Sequence, residues 1–143
     1  MPGVARSLDR YRVAHLATAD SRARPHVIPI CFAVTGRTLY SVIDAKPKRR
    51  PPAALRRVRN ILANPRAAVV IDSYSEDWDA LGYVLFEGAA RLVEDGREHA
   101  TAVRLLRRKY HQYRNMSLED RPIIAVDIAR VVRWGREAGR SEA

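Results

Sequence analysis

A single cysteine, Cys31, occurs in 143 residues, so no intrachain disulfide can form, and a reducing compartment, the cytoplasm, is the expected location. Long apolar runs are missing too. The longest, residues 27–34, has eight residues, against the roughly 20 that a membrane-spanning helix needs. No membrane span is expected, and the first residues lack the apolar core of a secretory leader. Aromatics are scarce: ten Phe, Trp and Tyr in all, and none in the basic segment 46–59. Single-stranded nucleic acids are gripped by bases stacking on aromatics set among positive charges, so nucleic acid is not expected as a partner. The four histidines, His15, His26, His99 and His111, have no metal-ligand spacing. No phosphate-binding glycine loop, dinucleotide fingerprint or nucleophile-elbow motif is present.

Acidic residues are the remaining deficit, 16 against 26 basic ones, for a net charge of +10. Such an excess favours anionic partners. The charge is also concentrated. Lys46, Lys48, Arg49, Arg50, Arg56, Arg57, Arg59 and Arg66 fall in one stretch, and six more basic residues lie between Arg97 and Arg114. With 47% apolar residues, the chain has the material for a buried core and the length of one domain, read as 1–143 with a fraying tail at 135–143.

The pattern alternates strands with two helices. A short helix is expected over 5–9 and a strand over 11–19. A nearly continuous apolar strand over 26–34 reads as buried on both faces. The hairpin signal at residues 35–37 leads to a returning strand over 38–43. After the proline-rich break 44–52, a helix over 53–63 places Leu55, Val58 and Leu62 on one face, with Arg56, Arg59 and Asn60 largely off it. Strands follow over 67–72 and 81–93, with Gly82 and Gly88 as bulge or close-approach candidates. A helix over 97–113 turns Ala100, Val103, Leu106 and Tyr110 to the core, and a strand over 122–134 closes the chain. Few crossover helices and several hairpins predict a mainly β fold, a six-stranded antiparallel barrel with helices packed outside.

Five segments in this order carry a resemblance: 13–20 (VAHLATAD), 24–30 (RPHVIPI), 36–40 (GRTLY), 57–69 (from RVRNI through NPRAAV) and 85–92 (LFEGAARL). Together they resemble the pyridoxamine 5'-phosphate oxidase-like family, whose fold is the FMN-binding split β-barrel. The run Asp44-Ala45-Lys46-Pro47-Lys48-Arg49 is most similar to its branch that uses the deazaflavin coenzyme F420. The resemblance implies a homodimer with the cofactor at the subunit interface. It places the ring near Val27, Ile28, Pro29, Ile30, Val42, Ile43 and Asp44. It places the phosphate near Lys46, Lys48, Arg49, Arg56, Arg57 and Asn60, with Trp78 a candidate to stack on the ring. The implied activity is hydride transfer from coenzyme F420 to a small unsaturated substrate. FMN in place of coenzyme F420, or a carrier that binds either without turnover, are the alternatives.

The basic segment has a physical logic of its own. A helix start presents unpaired amides and the positive dipole end, and arginines placed there suit bidentate contact with phosphate. A solvated charged loop is the plainer reading of the same run. Pro29 removes one strand donor, as fits a strand with a free edge. His15 reads as a packed, hydrogen-bonded core residue, and Cys31 as buried and inert. No dedicated acid–base residue is expected, because the cofactor carries the hydride chemistry.

Overall fold

The structure, a computed structural model, describes residues 8–44 and 54–135. The opening helix, the proline-rich break with Lys46, Lys48 and Arg49, and the tail beyond 135 lie wholly or largely outside the described residues. Seven strands form one antiparallel sheet: β1 (Ala14–Ala19), β2 (Pro25–Ile30), β3 (Ala33–Thr35), β4 (Thr38–Val42), β5 (Arg66–Ser73), β6 (Gly82–Val93) and β7 (Ile123–Gly135). Helix α1 (Arg56–Ala63) enters between β4 and β5, and α2 (Gly96–Lys109) between β6 and β7. Short 3₁₀ turns cover Trp78–Ala80 and His111–Asn115. The order across the sheet is β2-β1-β5-β6-β7-β4-β3. The sheet curls into the split-barrel form, with β2 and β3 at its two edges.

The strand count is seven, not six, because the apolar run 26–34 breaks at Cys31 and Phe32. The Phe32 amide donates to Tyr110 Oη at 3.0 Å instead of to a ladder, and the same hydroxyl donates to the Arg12 carbonyl at 2.9 Å. Tyr110 thus fastens the corner where the chain leaves one edge of the sheet for the other. Nor is the first half of this run buried on both faces. As an edge strand, β2 exposes Pro25, Val27 and Pro29 and turns His26, Ile28 and Ile30 inward. Hydrophobicity alone does not distinguish a covered strand from an edge that carries exposed valine and proline.

Two apolar clusters share the sheet. Leu16, Val69, Ile71, Phe86, Ile124 and Val126 pack inside the curl with Val58 and Ile61 of α1. Tyr40, Val42, Ile123 and Ala125 meet Ala102, Val103 and Leu106 of α2 on the opposite face. Alternation along β4 and β7 feeds both clusters in turn, so these strands read as continuous apolar runs. Helix α1 is rotated from the sequence expectation. In α1 the buried set is Val58, Asn60 and Ile61, and Leu62 is 66% exposed. In α2 Val103, Leu106 and, just past its end, Tyr110 are buried as expected, joined by His99 and Ala102, while Ala100 is exposed. That helix ends at Lys109, before the 3₁₀ turn that carries Tyr113.

Of the two glycines expected at irregular points, Gly88 marks a bulge: Glu87 pairs with Arg130 and Gly88 with Ile128, leaving Ala129 extra on β7. A Cβ on Gly88 would overlap the Asp127 carbonyl. Gly82 is a regular ladder position, paired with Gly135.

Candidate functional site

The residues of interest converge where α1 starts, beside β2 and the end of β4. Arg56 and Arg57 occupy the first turn of α1, where the helix has no acidic residue. Neither makes a salt bridge among the described residues. Arg57 is half-buried. Burial lowers the pKa of its guanidinium, and the charge of Asp44 and the Tyr113 phenol act against that. Asp44 follows β4 and accepts a hydrogen bond from Tyr113 Oη at 3.2 Å. Burial, then the neighbouring Cys31 and Asp44, push the Tyr113 hydroxyl well above the ordinary phenol value. Cys31 is half-buried rather than enclosed, because it sits in the gap between β2 and β3.

His26 faces the same place from β2. It stands opposite Thr18 of β1, and residues opposite each other in a ladder share a face. Burial lowers its pKa, and the charges of Arg56 and Arg57 lower it further. Beneath the arginines, Asn60 Nδ2 donates to Thr18 Oγ1 at 3.0 Å, both side chains being buried. A cleft of about 370 Å³ opens on the other side of the same helix start, lined by Asp20, Arg24, Arg56, Arg59, Asn60 and Ala63. Arg24 is engaged with Asp20 at 2.7 Å, which leaves Arg56 and Arg59 as the cleft's uncommitted cations.

The strand residues expected to frame a ring divide by face. Val27 and Pro29 point outward, Val27 with 62% exposure. Ile28 and Ile30 point into the core. Val42 and Ile43 are buried, so a ligand beside them meets main chain rather than side chain. Outward, one row crosses five strands: Pro29, His15, Val70, Leu85 and Val132 are successive ladder partners. His15 lies in this half-exposed row and makes no side-chain hydrogen bond among the described residues, so it is not the packed core histidine expected. Trp78, 74% exposed, stands on the 3₁₀ turn before β6, away from the arginine cluster within one chain. Trp134 stacks on Tyr83 with centroids 5.8 Å apart.

Three groups of this region escaped the sequence reading: Tyr113, Cys31 as a partially open thiol, and Lys109. The Lys109 ammonium lies 3.5 Å from the centre of the Phe32 ring. Its nitrogen is buried without a hydrogen-bond partner. Burial, reinforced by Arg12 and opposed by Asp9 and Cys31, pushes its pKa down to about 8. Nothing in sequence spacing joins Asp44 to Tyr113 or Phe32 to Lys109; only the fold does.

A single family covers this architecture. The family model described as pyridoxamine 5'-phosphate oxidase matches residues 3–135, and the chain belongs to that family. No curated protein matches the chain. Solved structures share its fold. Protein Rv2991 of Mycobacterium tuberculosis superposes with a TM-score of 0.74 at 20% identity, covering 96% of this chain and 86% of that one. HutZ, the heme storage protein of Vibrio cholerae, gives 0.72 at 16% identity, covering 94% and 92%. A heme-binding protein of Mycobacterium smegmatis gives 0.68 at 17%, covering 97% and 58%. Among the described residues no helix is long and apolar enough to cross a membrane.

Proposed function

We propose that the protein is a flavin-type oxidoreductase that holds coenzyme F420, with FMN the alternative, and reduces a small unsaturated substrate. The observation that carries this is the anion site at the start of α1: among the described residues Arg56 and Arg57 make no salt bridge, and they face an imidazole whose buried Nδ1 has no partner there. A phosphate at the end of a ribityl chain answers that donor set, with Lys46, Lys48 and Arg49 of the adjoining segment as further candidates. When bound, the cofactor supplies the hydride chemistry. The chain's own residues bind, orient and shield it. Val27 and Pro29 lie along one side of the ring, and Arg56, Arg57 and Asn60 fix the phosphate end. The outward row through His15, Val70 and Leu85 is covered by a second copy, so the working unit is a homodimer.

The test is spectral titration of the protein with coenzyme F420, FMN and haemin in turn. Micromolar binding of coenzyme F420, and oxidation of its separately prepared reduced form on adding unsaturated substrates, is the expected result. Binding without oxidation makes the protein a carrier. If coenzyme F420 and FMN both fail at micromolar concentration, the oxidoreductase reading falls. Haemin binding alone would replace it with the ligand that HutZ and the Mycobacterium smegmatis protein are named for.

A further inference from the structure

One buried polar atom of the arginine site has no hydrogen-bond partner among the described residues: Nδ1 of His26. The ring stands on the face of β2 that α1 covers, opposite Thr18 and beside the buried Thr18–Asn60 pair. The charged groups that bear on it from α1 are Arg56 and Arg57. From β1 it meets Thr18, which is uncharged. At the β1–β2 turn, Asp20 and Arg24 are tied to each other, and Asp44, beyond Arg57, accepts from Tyr113. No described carboxylate is hydrogen-bonded to the imidazole. An orphaned buried nitrogen is unfavourable, and two guanidiniums beside it oppose a second ring proton. One ligand removes both deficits: an anion seated against the arginines cancels their field and gives Nδ1–H an acceptor.

We propose that His26 is the proton-linked member of this site. The imidazole is neutral while the site is free. Its affinity for a proton rises as a phosphate dianion settles against Arg56 and Arg57, and the protonated ring donates Nδ1–H to a phosphate oxygen. No other bond is made or broken. The inference rests on the cofactor reading and assigns a residue to its phosphate end; the dianion is that of FMN, a phosphomonoester, or of inorganic phosphate, whereas the phosphodiester of coenzyme F420 is a monoanion that still accepts Nδ1–H. A phosphomonoester loses its second proton near pH 6. Between pH 7 and 8 FMN is therefore largely dianionic, and a proton taken up on its binding belongs to the protein; inorganic phosphate still holds part of its second proton there, so its effect is read from the His26 signal itself.

The experiment is proton NMR of the four histidine rings across pH, with the full chain alone, with saturating inorganic phosphate, with FMN and with coenzyme F420. His26 is assigned by the signal lost in His26→Gln, and the exposed His111 serves as reference. Alone, the His26 midpoint is expected below 6.5. With phosphate it rises by about one pH unit, equivalent to about tenfold tighter binding to the protonated form, while His111 stays put. Arg56→Gln raises the midpoint of the free protein, which keeps the test open should His26→Gln fold poorly. An unmoved His26 midpoint in the presence of phosphate overturns the proposal, whether phosphate binds elsewhere or not at all. So does a free midpoint above 6.5. The cofactor reading fails separately, when phosphate shifts His26 but FMN and coenzyme F420 shift nothing.

Discussion

Asn60 donates to Thr18 Oγ1 at 3.0 Å, and this bond between two buried side chains anchors α1 to β1 directly beneath the arginine pair. Asn60→Ala leaves the threonine hydroxyl buried without its donor, so a stability loss of about 1–3 kcal/mol is expected. Urea denaturation of the variant checks it. An unchanged midpoint would show that the helix is held by Val58 and Ile61 alone.

Arg57 is the half-buried member of the pair, and its loss should be felt in ligand affinity. Arg57→Ala is expected to weaken cofactor binding by about 1.5–3 kcal/mol, the range for a charged hydrogen bond. Arg107, tied to Glu119 at 2.6 Å on α2, is the control whose removal leaves affinity alone. Equal affinities in all three proteins would move the phosphate elsewhere.

Lys109 is a buried base with its pKa pushed down to about 8. In the folded protein it binds fewer protons than in the unfolded chain between about pH 8 and the ordinary lysine value. Stability therefore rises with pH across that window. Lys109→Met should abolish the rise and add about 1 kcal/mol at pH 7, since the thioether fills the space between Phe32 and Tyr110 without a charge to desolvate. Identical pH profiles for the two proteins would count against this.

Arg91 forks between Glu98 and Asp127, at 2.8 and 2.7 Å, and Tyr40 Oη donates to Glu98 at 2.8 Å. These bonds, Arg91 first and then Tyr40, hold the Glu98 carboxyl at about 2. A depressed carboxyl stabilises fully above its unfolded value, near 4.5, and the benefit is lost as pH falls through about 2. Solvent reaches the pair, so Glu98→Gln should cost only about 0.5–1 kcal/mol at pH 7. That gap should narrow steadily below pH 4.5. A gap that persists undiminished at pH 3 would assign the effect to packing.

Gly88 admits no side chain, because a Cβ there would meet the Asp127 carbonyl across the β6–β7 bulge. Gly88→Ala is expected to lower stability by roughly 2–4 kcal/mol, as forced overpacking of backbone does. Thermal melting reads the effect, and a shift of less than a degree would mean the bulge relaxes freely.

Six strand segments and two helices were legible in their rough places because hydrophobic period and turn chemistry are local properties. The rotation of α1 was not. Leu62 and Asn60 exchanged places because Thr18, distant in sequence, supplies a buried partner for the amide. The single apolar run 26–34 hid a corner, since the hydroxyl that captures the Phe32 amide belongs to Tyr110, 78 residues away. The candidate site divides in the same manner. Arg56 and Arg57 announced themselves by charge at a helix start. His26, Tyr113 and Lys109 depend on long-range neighbours, which no spacing rule encodes.

The outer edge of β2 has a further consequence. Pro25 and Pro29 share the parity of Val27 along the strand, and an edge proline turns its missing amide toward solvent. That rim therefore offers one donor, from Val27, among three carbonyls. Another strand cannot zip along it, so the sheet does not template its own extension into fibrils. β3, at the opposite rim, is only three residues long. Both ends of the sheet are thus poor seeds for aggregation.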